Sequence, residues 1–80
     1  MINVKDAVNS VIAYMRDFSQ YMPNSDQRLE EVAYDDEDHE WIIVVSFREN
    51  LLSATPRLYK RFRIGAENGE VKSMQNERPT

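Results

Sequence analysis

The chain has no cysteine, two glycines, three prolines and one histidine among its 80 residues. Without cysteine, neither a disulfide nor a thiolate metal site can support the fold. The lone histidine, His39, excludes a zinc site made of several histidines of one chain. Gly65 and Gly69 are the only glycines, so no glycine-rich loop can cradle a phosphate group. The sequence therefore predicts no metal site and no cofactor.

Long apolar runs are also absent. The longest, residues 41–45, is far shorter than the ~20 residues of a membrane-spanning helix. The N-terminus shows no basic segment followed by an apolar stretch, so no signal peptide is predicted and we expect a cytoplasmic protein that does not bind membranes. The length fits one domain over residues 1–80 with a small core. A homodimer interface would enlarge that core, so self-association is expected.

Acidic residues outnumber basic ones by 14 to 10, which gives a net charge of −4 at pH 7. This balance disfavours a partner that is recognised mainly by its negative charge. The hydrophobic fraction of 41% is ordinary for a globular domain and too high for a wholly disordered chain. The composition therefore indicates a folded domain, and it favours a protein partner over a nucleic acid.

The clearest pattern predicts a helix over residues 4–22, where apolar side chains recur at spacings of three and four. Asn3 stands at the N-cap position, and Asp6 in the first turn favours the helix dipole. Pro23 and the polar residues after it end the helix.

After residue 28 the apolar pattern changes from helical to alternating, which is typical of strands. Four strands are predicted, at residues 29–35, 41–48, 58–66 and 70–75. The acidic run 35–40 is the first turn, residues 49–57 form a connection, Asn68-Gly69 makes a hairpin turn and residues 76–80 form a frayed tail. Such short connections favour an antiparallel meander. The predicted fold class is α+β, with one N-terminal helix packed on a three- to four-stranded antiparallel sheet in the order α-β-β-β-β.

The second predicted strand is apolar on both of its faces. If its odd-numbered residues face the helix, Ile42 and Val44 lie on the side of the sheet away from the helix, which we call the second face. One interpretation is that the 49–57 connection, Tyr59 or the stems of basic side chains cover them. The other is that the second face is an interface with a second copy or with a partner protein.

Basic residues cluster on and just before the third strand: Arg57, Lys60, Arg61 and Arg63. Tyr59, Arg61 and Arg63 share the second face, an arrangement that suits phosphate contacts with an aromatic ring for base stacking. The alternative is that the arginines form cross-strand ion pairs with acidic residues of the chain. The candidates for such pairs are Glu31, Glu49, Glu70 and the acidic run.

No group of residues indicates catalysis. The acidic run 35–40 lacks the glycine and the distal glutamate of a calcium loop, so we interpret it as a solvated turn. No serine lies in a Gly-x-Ser-x-Gly elbow, and His39 is the only candidate base. The carboxylates lie in polar segments, where nothing raises a pKa. We predict no catalytic residue and do not expect an enzyme.

Residues 58–74, LYKRFRIGAENGEVKSM, resemble the closing hairpin of PepSY-type domains. That hairpin consists of an apolar strand, an acidic-Asn/Thr-Gly turn and a Glu-Val strand, and a helix likewise precedes the sheet. PepSY-type domains are mostly extracytoplasmic and are thought to inhibit or regulate peptidases. The resemblance implies the same topology and a non-catalytic role, whereas the absence of a predicted signal sequence departs from the family.

The leading hypothesis is a small non-enzymatic interaction or regulatory domain that self-associates or binds a protein through the second face. The alternative is a nucleic-acid-binding domain that uses the basic strand 57–63. The candidate partner-binding residues form an apolar patch rimmed by positive charge: Ile42, Val44, Tyr59, Arg61 and Arg63.

Overall fold

The computed structural model describes residues 1–18, 27–47 and 57–77. Helix α1 spans Val4–Phe18 and precedes four strands: β1 (Arg28–Asp35), β2 (Glu40–Phe47), β3 (Leu58–Gly65) and β4 (Val71–Glu77). Each strand pairs antiparallel with the next, so the sheet order is β1-β2-β3-β4. The α+β class and the α-β-β-β-β order predicted from the sequence are confirmed.

Helix α1 begins as its sequence predicts. The side-chain oxygen of Asn3 accepts a hydrogen bond from the Asp6 N–H at 2.8 Å, which satisfies one of the free amides of the first turn. Just before the helix, the Ile2 N–H donates to the Ala66 carbonyl at 2.7 Å and fixes the helix start at the end of β3. The predicted continuation over residues 19–22 lies outside the described residues.

The strand boundaries are close to the predicted ones, with one clear correction at β4. This strand continues to Glu77, because Asn76 pairs with Lys60 and Glu77 pairs with Tyr59. The prediction that a frayed tail begins at Asn76 is therefore wrong for these two residues. Arg48, most of the predicted 49–57 connection and residues 78–80 lie outside the described part of the chain.

Two turns lie together at one end of the sheet. In the β3–β4 turn, Gly69 has a φ of 76°, and its N–H donates to the Gly65 carbonyl at 2.9 Å. The turn predicted at Asn68-Gly69 is confirmed, with the positive φ at Gly69 and not at Asn68. In the β1–β2 turn, His39 adopts a φ of 53°, and its carbonyl accepts a hydrogen bond from the Ala66 N–H at 2.9 Å. The second bond joins the two turns.

The hydrophobic core lies between α1 and one face of the sheet. Its buried members come from the helix, β2 and β3: Ala7, Val11, Met15, Ile43, Val45, Phe47, Phe62 and Ile64. Tyr14 packs edge-on against Phe62, with ring centroids 5.7 Å apart. At the rim, the Trp41 indole N–H donates to the Ile2 carbonyl at 3.2 Å. The odd-numbered residues of β2 therefore face the helix, as the alternation predicts.

Candidate interaction surface

The second face brings together the residues that the sequence predicts as a partner site. Ile42 of β2 lies opposite Arg63 of β3, and Val44 lies opposite Arg61. Tyr59 precedes Arg61 by two residues, so it points to the same side of β3. Their common face is confirmed, and their binding of a partner stays a prediction.

Burial on the second face is greater than an open patch would show. Val44 is only 4% exposed, while Ile42 and Tyr59 are half-buried. Val44 therefore offers almost no surface to a partner. Among the described residues, every exposed large hydrophobic side chain lies at the N-terminus, on α1 or on the helix side of the sheet.

Arg63 is bound by carboxylates of the two preceding strands, β1 and β2. Its guanidinium lies 3.1 Å from a carboxylate oxygen of Asp35 and 3.1 Å from one of Glu40. The side chain thus reaches from β3 across β2 to the end of β1. The hydrogen bond from Arg63 holds the pKa of Asp35 below its ordinary value, and the N–H groups of Asp38 and Glu37 act in the same direction. Asp35 and Glu40 in turn raise the pKa of Arg63.

Arg61 is matched by a carboxylate of β4. Its terminal nitrogen donates to Glu77 at 3.0 Å, and its Nε lies 2.9 Å from the other oxygen of the same carboxylate. This Nε is buried and is not aligned for a hydrogen bond, so it forms an ion pair with Glu77 but no hydrogen bond. Both Arg61 and Arg63 therefore form cross-strand ion pairs, which was the alternative to phosphate binding. The acidic run supplies the partners of Arg63, and Glu77, expected in the tail, supplies that of Arg61.

A buried serine links β1 to the residue before β3, a contact that sequence reasoning missed. The Ser46 hydroxyl donates to a Glu30 carboxylate oxygen at 2.9 Å and accepts from the Arg57 Nε at 3.0 Å. Ser46 has no exposed surface. A fully covered hydroxyl between a carboxylate and a guanidinium satisfies a buried polar group and leaves no access for a substrate.

Two exposed apolar side chains of β1 point to the helix side of the sheet. Leu29 and Val32 of β1 lie opposite the core residues Val45 and Ile43, so they point to the helix side of the sheet. Leu29 is 52% exposed and Val32 37% exposed.

The orientation of α1 directs one more exposed side chain toward the β1 edge. The Ser10 hydroxyl lies 3.1 Å from where a Cβ on Gly69 would stand, so its flank of α1 faces the β3–β4 turn. Ile12 lies ~200° further round the helix, on the opposite flank. It is 40% exposed. We call Ile12, Leu29 and Val32 the apolar margin. The periodicity alone did not reveal it, because spacing does not fix where a helix sits across a sheet.

Positive charge borders the apolar margin on the helix. Lys5 and Arg16 lie within about 40° of Ile12 around the helix axis, and both are exposed. The acidic residues Asp6 and Asp17 lie more than ~100° away from Ile12. The flank of α1 that carries the margin is therefore basic, although the whole chain is acidic.

Within residues 1–18, 27–47 and 57–77, no cluster of three or more His, Cys, Asp or Glu side chains is placed to hold a metal ion. In the acidic run, Asp35 and Glu40 instead bind the guanidinium of Arg63. The described helix is neither long nor apolar enough to cross a membrane.

Comparison of the chain with protein-family models, with curated proteins and with solved structures gives no match. The resemblance of residues 58–74 to PepSY-type domains therefore stays a prediction.

Proposed function

We propose that this chain is a small non-enzymatic interaction domain that binds an acidic amphipathic segment of a partner protein along the apolar margin. The observation that carries the proposal is the exposure of Leu29, Val32 and Ile12 along one border of the fold. Exposed apolar side chains that gather in one place are typical of protein-binding surfaces. An amphipathic segment would cover them with its apolar side.

The basic residues beside the apolar margin favour a partner that carries negative charge. Lys5 and Arg16 border Ile12 on the solvent side, so carboxylates of the bound segment would lie next to them. Such complementarity raises the rate of association and selects against basic partners. Binding should therefore weaken as salt is added, since exposed charges are screened at high ionic strength.

The proposed interface is not on the second face, where the sequence predicts one. Val44 is buried there, and Arg61 and Arg63 are already bound by Glu77, Asp35 and Glu40. A nucleic-acid phosphate would have to displace these carboxylates before it could bind the two guanidinium groups. The second face is therefore the weaker candidate for either kind of partner.

Site-specific photo-crosslinking tests the proposal in cells that express the chain natively. A photoreactive residue at Val32 or Ile12 is expected to form an adduct with a partner protein. The matched control is Ala33, which is exposed, adjacent to Val32 and directed to the second face. Adducts at Ala33 but not at Val32 would place the partner on the second face, and adducts at neither position would contradict an interaction role for both surfaces.

A further inference from the structure

Within the described residues, the two outer strands of the sheet differ in the features that block pairing at their outer edges. Unpaired edge strands tend to pair with other chains, and natural proteins block this with bulges and with charges. β1 has both devices: its pairing with β2 shifts register between Leu29 and Glu31, and Glu30 and Glu31 are consecutive. Self-pairing of β1 would bring these carboxylates together.

β4 has these devices only at its ends, because its pairing with β3 shifts register at Lys72 and its last residue is Glu77. Residues 73–76, Ser-Met-Gln-Asn, carry no charge, and from Ser73 to Glu77 the strand pairs with β3 without a register shift. Within the described residues, β4 is hydrogen-bonded to β3 alone. Met74 lies on the helix side of the sheet, opposite Phe62, and is 44% exposed. Residues 73–76 therefore present a straight, uncharged stretch of this edge, which includes the exposed side chain of Met74.

We propose that β4 pairs antiparallel with β4 of a second copy, with Met74 opposite Met74 of the other copy on a two-fold axis. The two sheets then form one continuous sheet with both helices on the same side. Such an interface is closed, because a two-fold axis uses the same surface of both copies. The main-chain hydrogen bonds of the new strand pair supply affinity, and burial of the two methionines adds to it.

The charges at the ends of β4 fit this antiparallel arrangement. Lys72 lies near the start of the strand, and Glu77 lies at its end. Pairing about Met74 places Ser73 opposite Gln75 of the second copy and brings Lys72 near the end that carries Glu77, and no two like charges face each other. The proposal goes beyond the partner-binding role, because β4 lies at the other edge of the sheet and the apolar margin of each copy stays accessible in the dimer.

Charges introduced at Met74, on the proposed two-fold axis, test the register of the β4–β4 pair. In sedimentation equilibrium, we expect the wild-type chain to be dimeric at tens of micromolar. The variants Met74→Lys and Met74→Glu should each be monomeric, because each would place like charges opposite each other. Their equimolar mixture should recover the dimer. The control Val32→Lys changes a similarly exposed residue of β1 and should remain dimeric.

A second experiment uses the absence of cysteine from the chain, which makes any introduced thiol unique. Opposed residues of an antiparallel pair have Cα atoms about 4.5–5.5 Å apart, within the range that a disulfide spans. Met74→Cys should therefore form a covalent dimer on mild oxidation, and Val32→Cys should not. A monomeric wild-type chain at hundreds of micromolar would overturn the proposal, as would a dimer that neither Met74 charge variant weakens. Either result leaves the crosslinking expected at Val32 unchanged.

Discussion

Asp35 joins the acidic turn to the sheet through one carboxylate. One oxygen accepts hydrogen bonds from the N–H groups of Glu37 and Asp38, and the other binds Arg63. Because the folded state lowers the pKa of Asp35, ionisation of this group stabilises the fold. That contribution is complete above the ordinary aspartate pKa of about 3.9 and is lost as the pH falls through the lower pKa of the folded state.

The change Asp35→Asn keeps an oxygen for the turn and removes the charge that Arg63 binds. We expect it to lower the free energy of unfolding at pH 7, and to lower it progressively less as the pH falls below 4. Urea denaturation at a series of pH values measures both. Asp36→Asn makes the same change in net charge at an exposed neighbour and should leave stability nearly unchanged. Equal losses at Asp35 and Asp36 would mean that net charge, and not the contact with Arg63, is responsible.

The β3–β4 hairpin contains both glycines of the chain. The effect of adding a Cβ can therefore be compared at two positions of one element. Gly69 has a φ of 76°, which a residue with a Cβ adopts only with strain, and that Cβ would lie 3.1 Å from the Ser10 hydroxyl. We expect Gly69→Ala to lower the free energy of unfolding by about 1 kcal/mol. Gly65 does not have a positive φ, and a new Cβ there would lie 3.1 Å from the Cε of Lys72 and 3.2 Å from the Oδ1 of Asn68, both of them side-chain atoms. Gly65→Ala should therefore cost less, and an equal cost measured by urea denaturation would refute the conformational explanation.

Local patterns predicted the helix start, the antiparallel order and the common face of Ile42, Arg61 and Arg63, because each follows from a short period or a single turn. The end of β4 was not predictable in this way. Asn76 and Glu77 are polar, and their side chains are bound by Lys60 and Arg61 of the neighbouring strand. Such contacts depend on a register between distant parts of the chain. The apolar margin was missed for a related reason, since exposure at Ile12 depends on the position of α1 across the sheet.

At the scale of the whole molecule, burial is not confined to the side of the sheet that α1 covers. An antiparallel sheet with one helix layer usually leaves its other face to water. Here Val44 and Ser46 on the second face are as well buried as Val45 in the core. Burial on the second face therefore contributes to the stability of the fold.

Paired truncations on the two sides of β2 test this distribution of burial. Val45→Ala removes two buried methyl groups from the core and should lower the free energy of unfolding by about 2 kcal/mol, part of it from the cavity left behind. We expect Val44→Ala to cost a similar amount, because the side chain of Val44 is equally shielded from water. Urea denaturation of both variants, with circular dichroism to confirm their folds, gives the comparison. A loss below ~0.5 kcal/mol at Val44 alone would show that its cover is weakly held. The second face would then be open to a partner in solution. The interface predicted there from the sequence would in that case be a better candidate than the apolar margin.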